Sequence, residues 1–217
     1  MTASSQPPPL LVGCGILRRE IRFLIEKNGW LVQTSFLDSA LHVDFDELSR
    51  KLTATLSRHT ERDLLVFYGT CHPCMEAILE SAKASRTVGQ NCVEMLLGPE
   101  RFTEELEKGA FFLLEEWARR WEGIVTKTFG PNREVMREII QGDRRFLLCV
   151  TTPCSGDFTA EAEAAGRLVG LPIRWLSVSL DHLESVIQEA VLRIGAPRHV
   201  QHARRSPGGI GTPARAG

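Results

Sequence analysis

Apolar residues follow two alternating periods along the chain. Short apolar runs with strand character lie at 10–12, 64–67, 111–114 and 146–150, and the segments 30–36 and 173–178 also read as strands. Between them, apolar positions return at helical spacing. Leu17, Ile21, Leu24 and Ile25 form one such stripe, closed by Asn28-Gly29. The same spacing predicts helices at 44–58, 75–84, from Asn91 onward, and at 100–108, 115–129, 132–141 and 181–194. A further Ala/Glu-rich helix ends near Val169. Asn91 and Asp181 are the expected N-caps, and Gly98-Pro99 and Gly130-Pro131 are breaks. Trp117, Trp121 and Ile124 share one face of the 115–129 helix, and the connector 86–90 has room for a short strand.

Strands alternating with helices throughout predict an α/β fold. The expected form is a three-layer, largely parallel sheet with helices on both faces, built from Rossmann-like βα units. The expected organisation is a single domain at 10–195, between a disordered lead (1–9) and a disordered Arg/Gly/Pro-rich tail (196–217). A chain of 217 residues can bury one sizeable core. A net charge of −1 with no basic stripe argues against nucleic acid as a partner. No apolar run approaches the roughly 20 residues that span a bilayer. The start of the chain lacks a basic region followed by an apolar stretch, so a cytoplasmic location is expected.

Six cysteines change this otherwise ordinary picture. In a reducing compartment, grouped thiols point to metal binding or catalysis rather than to disulfides. Cys14, Cys71 and Cys92 each sit where a strand or connector meets a helix start. In a parallel sheet such positions gather on one edge, and helix N-termini favour the thiolate. Three thiolates can hold zinc with an open fourth position, or three irons of a four-iron cluster; the competing reading is three separately buried thiols. Cys71-His72-Pro73-Cys74 is a C-x-x-C, which supports a second reading as a metal-free redox pair and makes His72 and Cys74 additional candidates. Cys154 is another, in a loop able to reach the same edge, while Cys149 reads as core. His42 offers a nitrogen ligand or a proton shuttle. Glu94, on the first turn with Cys92, offers a carboxylate or plain compensation of the helix dipole. Phosphate-loop, dinucleotide and nucleophile-elbow signatures are all missing.

In order along the chain come Cys14-Gly15 with Glu20-Ile21, Leu41-His42, Tyr68-Gly69-Thr70-Cys71, Gln90-Asn91-Cys92-Val93-Glu94, and Gly109-Ala110-Phe111-Phe112-Leu113 leading to Trp117. Together they resemble the prokaryotic family called domain of unknown function 1638 (DUF1638), over about residues 10–195. The resemblance implies Cys14, His42, Cys71, Cys92 and Glu94 as the site. Cys14, Cys71, Cys92 and His42 would be metal ligands, and Glu94 and His42 would do acid/base work. The sequence departs from the family's pattern at Val43-Asp44-Phe45-Asp46 and at His72, which leaves room for a ligand set altered by His72 or Cys74. By association, the family also implies corrinoid-dependent methyl transfer in one-carbon metabolism, with a corrinoid protein or methyltransferase as partner. The expected function is therefore a zinc or iron–sulfur protein, with a thiol redox protein or a non-catalytic metal-delivery protein as alternatives.

Overall fold

The computed structural model describes residues 7–195. Among the described residues, seven strands are each separated from the next by one to three of the ten α-helices. β1 (Leu10–Cys14), β2 (Gln33–Leu37), β3 (Leu64–Phe67) and β4 (Ser85–Arg86) form one parallel sheet in the order β2-β1-β3-β4. β5 (Ala110–Leu114), β6 (Phe146–Thr151) and β7 (Ile173–Ser177) form a second parallel sheet, in sequence order. The α/β class and the βα units stand as expected, with the strands divided between two sheets. β4 is only two residues long and ends the first ladder, and the chain makes two helices before β5.

The helices are α1 (Arg18–Asn28), α2 (Phe45–Ser57), α3 (Met75–Ala82), α4 (Cys92–Leu97), α5 (Pro99–Glu107), α6 (Glu115–Ala118), α7 (Trp121–Phe129), α8 (Arg133–Asp143), α9 (Thr159–Val169) and α10 (Asp181–Gly195). Local chemistry fixes their ends. Asp44 caps α2 through Glu47 N–H, Asn91 caps α4 through the Val93 and Glu94 N–H groups, and Gly29 closes α1 at φ +62°. Three expectations are corrected. Trp30 to Val32 form a turn, so β2 starts at Gln33. The single 115–129 helix is broken at Arg119-Arg120, whose guanidinium groups are drawn to Glu161 and Asp38 outside that helix. Asp181 is the first residue of α10 rather than its cap, and its carboxylate accepts from the Ser179 hydroxyl.

All four residues of β3 are buried, as a parallel strand covered on both faces requires. The main core joins them to Ile21 and Leu24 of α1, to the Leu48-Leu52-Leu56 stripe of α2, and to Leu183 and Ile187 of α10. The second sheet alternates. Ala110, Phe112, Leu114, Leu148 and Val150 face this same core, while Leu113, Leu147 and Cys149 face a second one under α7, α8 and α9. α10 comes back from β7 to pack on β3, β4 and α4, which ties the two sheets together. Of the expected disordered lead, Pro9 accepts Gln33 N–H at 2.9 Å, and residues 1–6 and the tail lie outside the described residues.

Gly69 sets one close approach on which the first sheet's edge depends. A Cβ there would lie 1.9 Å from the Gln90 carbonyl oxygen, which accepts Thr70 N–H at 2.8 Å. Gly142, inside α8, has open space around it. Gly69→Ala should therefore cost about 3 kcal/mol, from overpacking against backbone that cannot yield. Gly142→Ala should gain up to about 1 kcal/mol from helix propensity. Urea unfolding of both variants checks the pair.

Candidate functional site

The chain leaves β1 for β2 on one side and then crosses back to β3 on the other, so the first sheet's topological switch point lies between β1 and β3. Ligands of open α/β sheets bind outside the carboxyl ends of strands at such a point. Cys14 is the last residue of β1, and the register pairing Gly13 with Phe67 sets it abreast of Tyr68. Gly15 then turns the chain tightly, because a Cβ there would meet the Leu37 carbonyl at 2.8 Å. After β3, Thr70 N–H and hydroxyl both donate to Gln90 O, at 2.8 and 3.2 Å. Arg86 adds a bond to the Gly89 carbonyl at 3.1 Å. The loop carrying Cys71 is thus laced to the loop that starts α4 with Cys92.

These three thiols act on one another. Cys92 is buried, and its thiol is pushed well up, first by hydrogen bonding with the Cys14 thiol and then by burial. Burial is also the main cause that raises Cys71, with Cys14 adding to it. Both are therefore protonated thiols at neutral pH. Tyr68 lies among them at 1 % exposure. Burial, followed by Cys14, Cys92 and Cys71, drives its phenol above the ordinary range. Its hydroxyl is buried without a hydrogen-bond partner, an arrangement that costs about 1–3 kcal/mol. Among the described residues, no three Cys, His, Asp or Glu side chains are already set at metal-holding distances.

The other candidates are placed elsewhere or already occupied. His42 stacks on Trp117, with ring centroids 4.5 Å apart, and its Nδ1 donates to Ser39 O at 2.8 Å. Burial keeps its imidazole neutral, and no cysteine contributes to that shift. Glu94 is buried, and one carboxylate oxygen accepts Gln90 N–H at 2.7 Å, so it ties the residue before the Asn91 cap to the first turn of α4. His72 Nδ1 accepts Cys74 N–H at 2.9 Å, and its ring meets Phe45 edge-on. Cys74 is exposed at the start of α3. Cys154 donates its N–H to Thr152, and Glu20 is the acidic group that acts on its thiol. Cys149 is core.

The residues that sequence reasoning left unassigned lie where the carboxyl edges of the two sheets face each other. Arg19 spans both oxygens of Glu115 at 3.0 and 2.8 Å, and Arg120 spans both of Asp38 at 2.8 and 3.0 Å. The Ser39 hydroxyl donates to Glu116. Glu20, 7 % exposed, accepts the Thr152 hydroxyl at 2.8 Å. It lines a cavity of about 80 Å³ with Gly15, Ile16, Leu114, Val150 and Ser155. No helix among the described residues is long and apolar enough to cross a membrane.

A family model described as protein of unknown function (DUF1638) matches residues 36–187, well over half of the chain, and the chain belongs to that family. His42, Cys71, Cys92 and Glu94 fall inside the match, and Cys14 precedes it. No curated protein matches the chain.

Burial raises the Glu20 carboxyl above its ordinary 4.5, with Thr152 and Arg19 acting against that rise. The folded state therefore holds this proton more tightly than the unfolded chain does. Glu20 begins to destabilise the fold as pH climbs through 4.5, and the effect is complete above the raised value. Glu20→Gln, which keeps an acceptor for Thr152, should melt higher than the natural protein at pH 8. That advantage should shrink toward pH 4, and a melting-temperature series across this range checks it.

Proposed function

We propose that this protein is a thiol-centred metal protein in which Cys14, Cys71 and Cys92 take up zinc or an iron–sulfur cluster. One observation carries the reading: three segments remote in sequence deliver three interacting thiols to the switch point of a parallel sheet. The donor set is right for a thiophilic metal. Among the described residues no group of three or more Cys, His, Asp or Glu side chains could hold a metal ion as it stands. Loading would have to draw the thiols together and release their protons, so it would strengthen as pH rises. Bound zinc would supply a Lewis acid with an open fourth position.

The remaining residues have supporting parts in this reading. Glu94 and Asn91 hold Cys92 at the start of α4, and Gly69 and Thr70 hold Cys71 against it. His42, packed on Trp117, stays outside the ligand set. The resemblance to the family supports a corrinoid protein or a methyltransferase as partner, and co-purification with such proteins tests that part.

Protein purified without oxygen should carry about one zinc or about four irons per chain. Cys14→Ser, Cys71→Ser and Cys92→Ser should each lose most of that metal, whereas Cys74→Ser should keep it. A chain that is metal-free as purified, and stays so after reconstitution with zinc and with iron and sulfide, overturns the reading.

A further inference from the structure

Six charged side chains line the cavity between the carboxyl edges of the two sheets, and four of them are answered by a neighbour of opposite sign. Arg19 and Arg119 both pair with Glu115, and Glu116 pairs with Arg120. Glu20 and Arg18 are left, and among the described residues neither has a charged partner at ion-pair distance. Glu20 is buried, with the Thr152 hydroxyl on one oxygen at 2.8 Å, whereas Arg18 is exposed. Two positions apart on α1, they face different ways and do not neutralise each other. A buried carboxyl without a cation costs free energy, and one hydroxyl leaves most of its acceptor capacity open. A glutamine there would keep the Thr152 bond without the charge. The cavity of about 80 Å³ has room for several waters, hence for a molecule of about five or six non-hydrogen atoms.

We propose that this cavity binds a small zwitterion, an α-amino acid of the size of glycine or alanine, with its ammonium group on Glu20 and its carboxylate on Arg18. Charge selects the class, because the two unanswered groups of the lining are one of each sign. A simple amine would leave Arg18 without a partner, and a simple carboxylate would leave Glu20 without one. The guanidinium fork of arginine matches the two oxygens of a carboxylate. Ile16, Leu114 and Val150 give an apolar wall that suits a hydrogen or a methyl group as side chain and limits its size. The walls come from both sheets: Ile16 and Glu20 follow β1, Leu114 ends β5, and Val150 lies in β6. Small apolar cavities with a few convergent polar groups, set between packed units, are the usual form of a small-molecule site. This site shares no residue with Cys14, Cys71 and Cys92, so it stands or falls apart from the metal reading.

The test titrates the full chain by calorimetry with glycine and L-alanine, and with ethylamine, propionate and L-phenylalanine for comparison. Glycine and L-alanine should bind and raise the melting temperature. Ethylamine and propionate, each lacking one charge, should bind at least about tenfold more weakly, and L-phenylalanine should not bind. Glu20→Gln and Arg18→Gln should each hold L-alanine about tenfold to a hundredfold more weakly, the range for a lost hydrogen bond to a charged group. Without ligand, Glu20→Gln should melt higher than the natural protein at pH 8, which separates a lost site from a damaged fold. Arg18 is exposed, so its variant decides even if the other fails to fold. Four results each overturn the inference: no binding of either small amino acid at millimolar concentration, unchanged affinity in either folded variant, ethylamine or propionate binding as tightly as L-alanine, or L-phenylalanine doing so.

Discussion

The Gln90 carbonyl, seated where a side chain at position 69 would be, is the contact on which the first sheet's functional edge depends. It accepts both the N–H and the hydroxyl of Thr70, so the loop after β3 and the loop before α4 are closed against each other. Gln90 N–H is in turn taken by Glu94, and Asn91 holds the next two N–H groups of α4. These bonds pair the N–H groups of Thr70, Gln90, Val93 and Glu94 across the junction. Cys71 and Cys92 are carried on the two sides of one seam.

Above their shared apolar core, the two sheets are also joined at this edge by charged pairs. Arg19 reaches both oxygens of Glu115 with one nitrogen, and Arg120 pairs two nitrogens with the two oxygens of Asp38, across about eighty to a hundred positions. Most of these partners are partly exposed, where a pair contributes little net stability, so the shared core and α10 do more to hold the halves together. What the pairs supply is orientation. They fix where β5 and β6 point their ends, and so where Thr152 reaches the buried Glu20.

Much of the fold was legible in the sequence because it is written in local terms. The 64–67 run, the Asn91 cap and the break at Gly98-Pro99 depend on a few neighbouring residues and came out as read. The grouping of Cys14, Cys71 and Cys92 was legible too, since in parallel sheets a loop after a strand has only one edge to go to. The surroundings of His42 were not legible, because its stacking partner, Trp117, arrives on α6 seventy-five positions later. Glu94 was read both as acid/base chemistry and as first-turn compensation of the helix dipole, and it is found bonded to the N–H just before the Asn91 cap. Tyr68 could have been found: a lone tyrosine at a strand end, three residues before a loop cysteine, is a signal in its own right.

The three thiols differ in how they are mounted. Cys14 belongs to a strand paired on both sides, whereas Cys71 and Cys92 sit on loops bonded to each other. Because the two loops share the Gln90 carbonyl, neither travels far without the other. The three thiols therefore hang on two mounts, as on the jaws of a caliper, rather than on three independent arms.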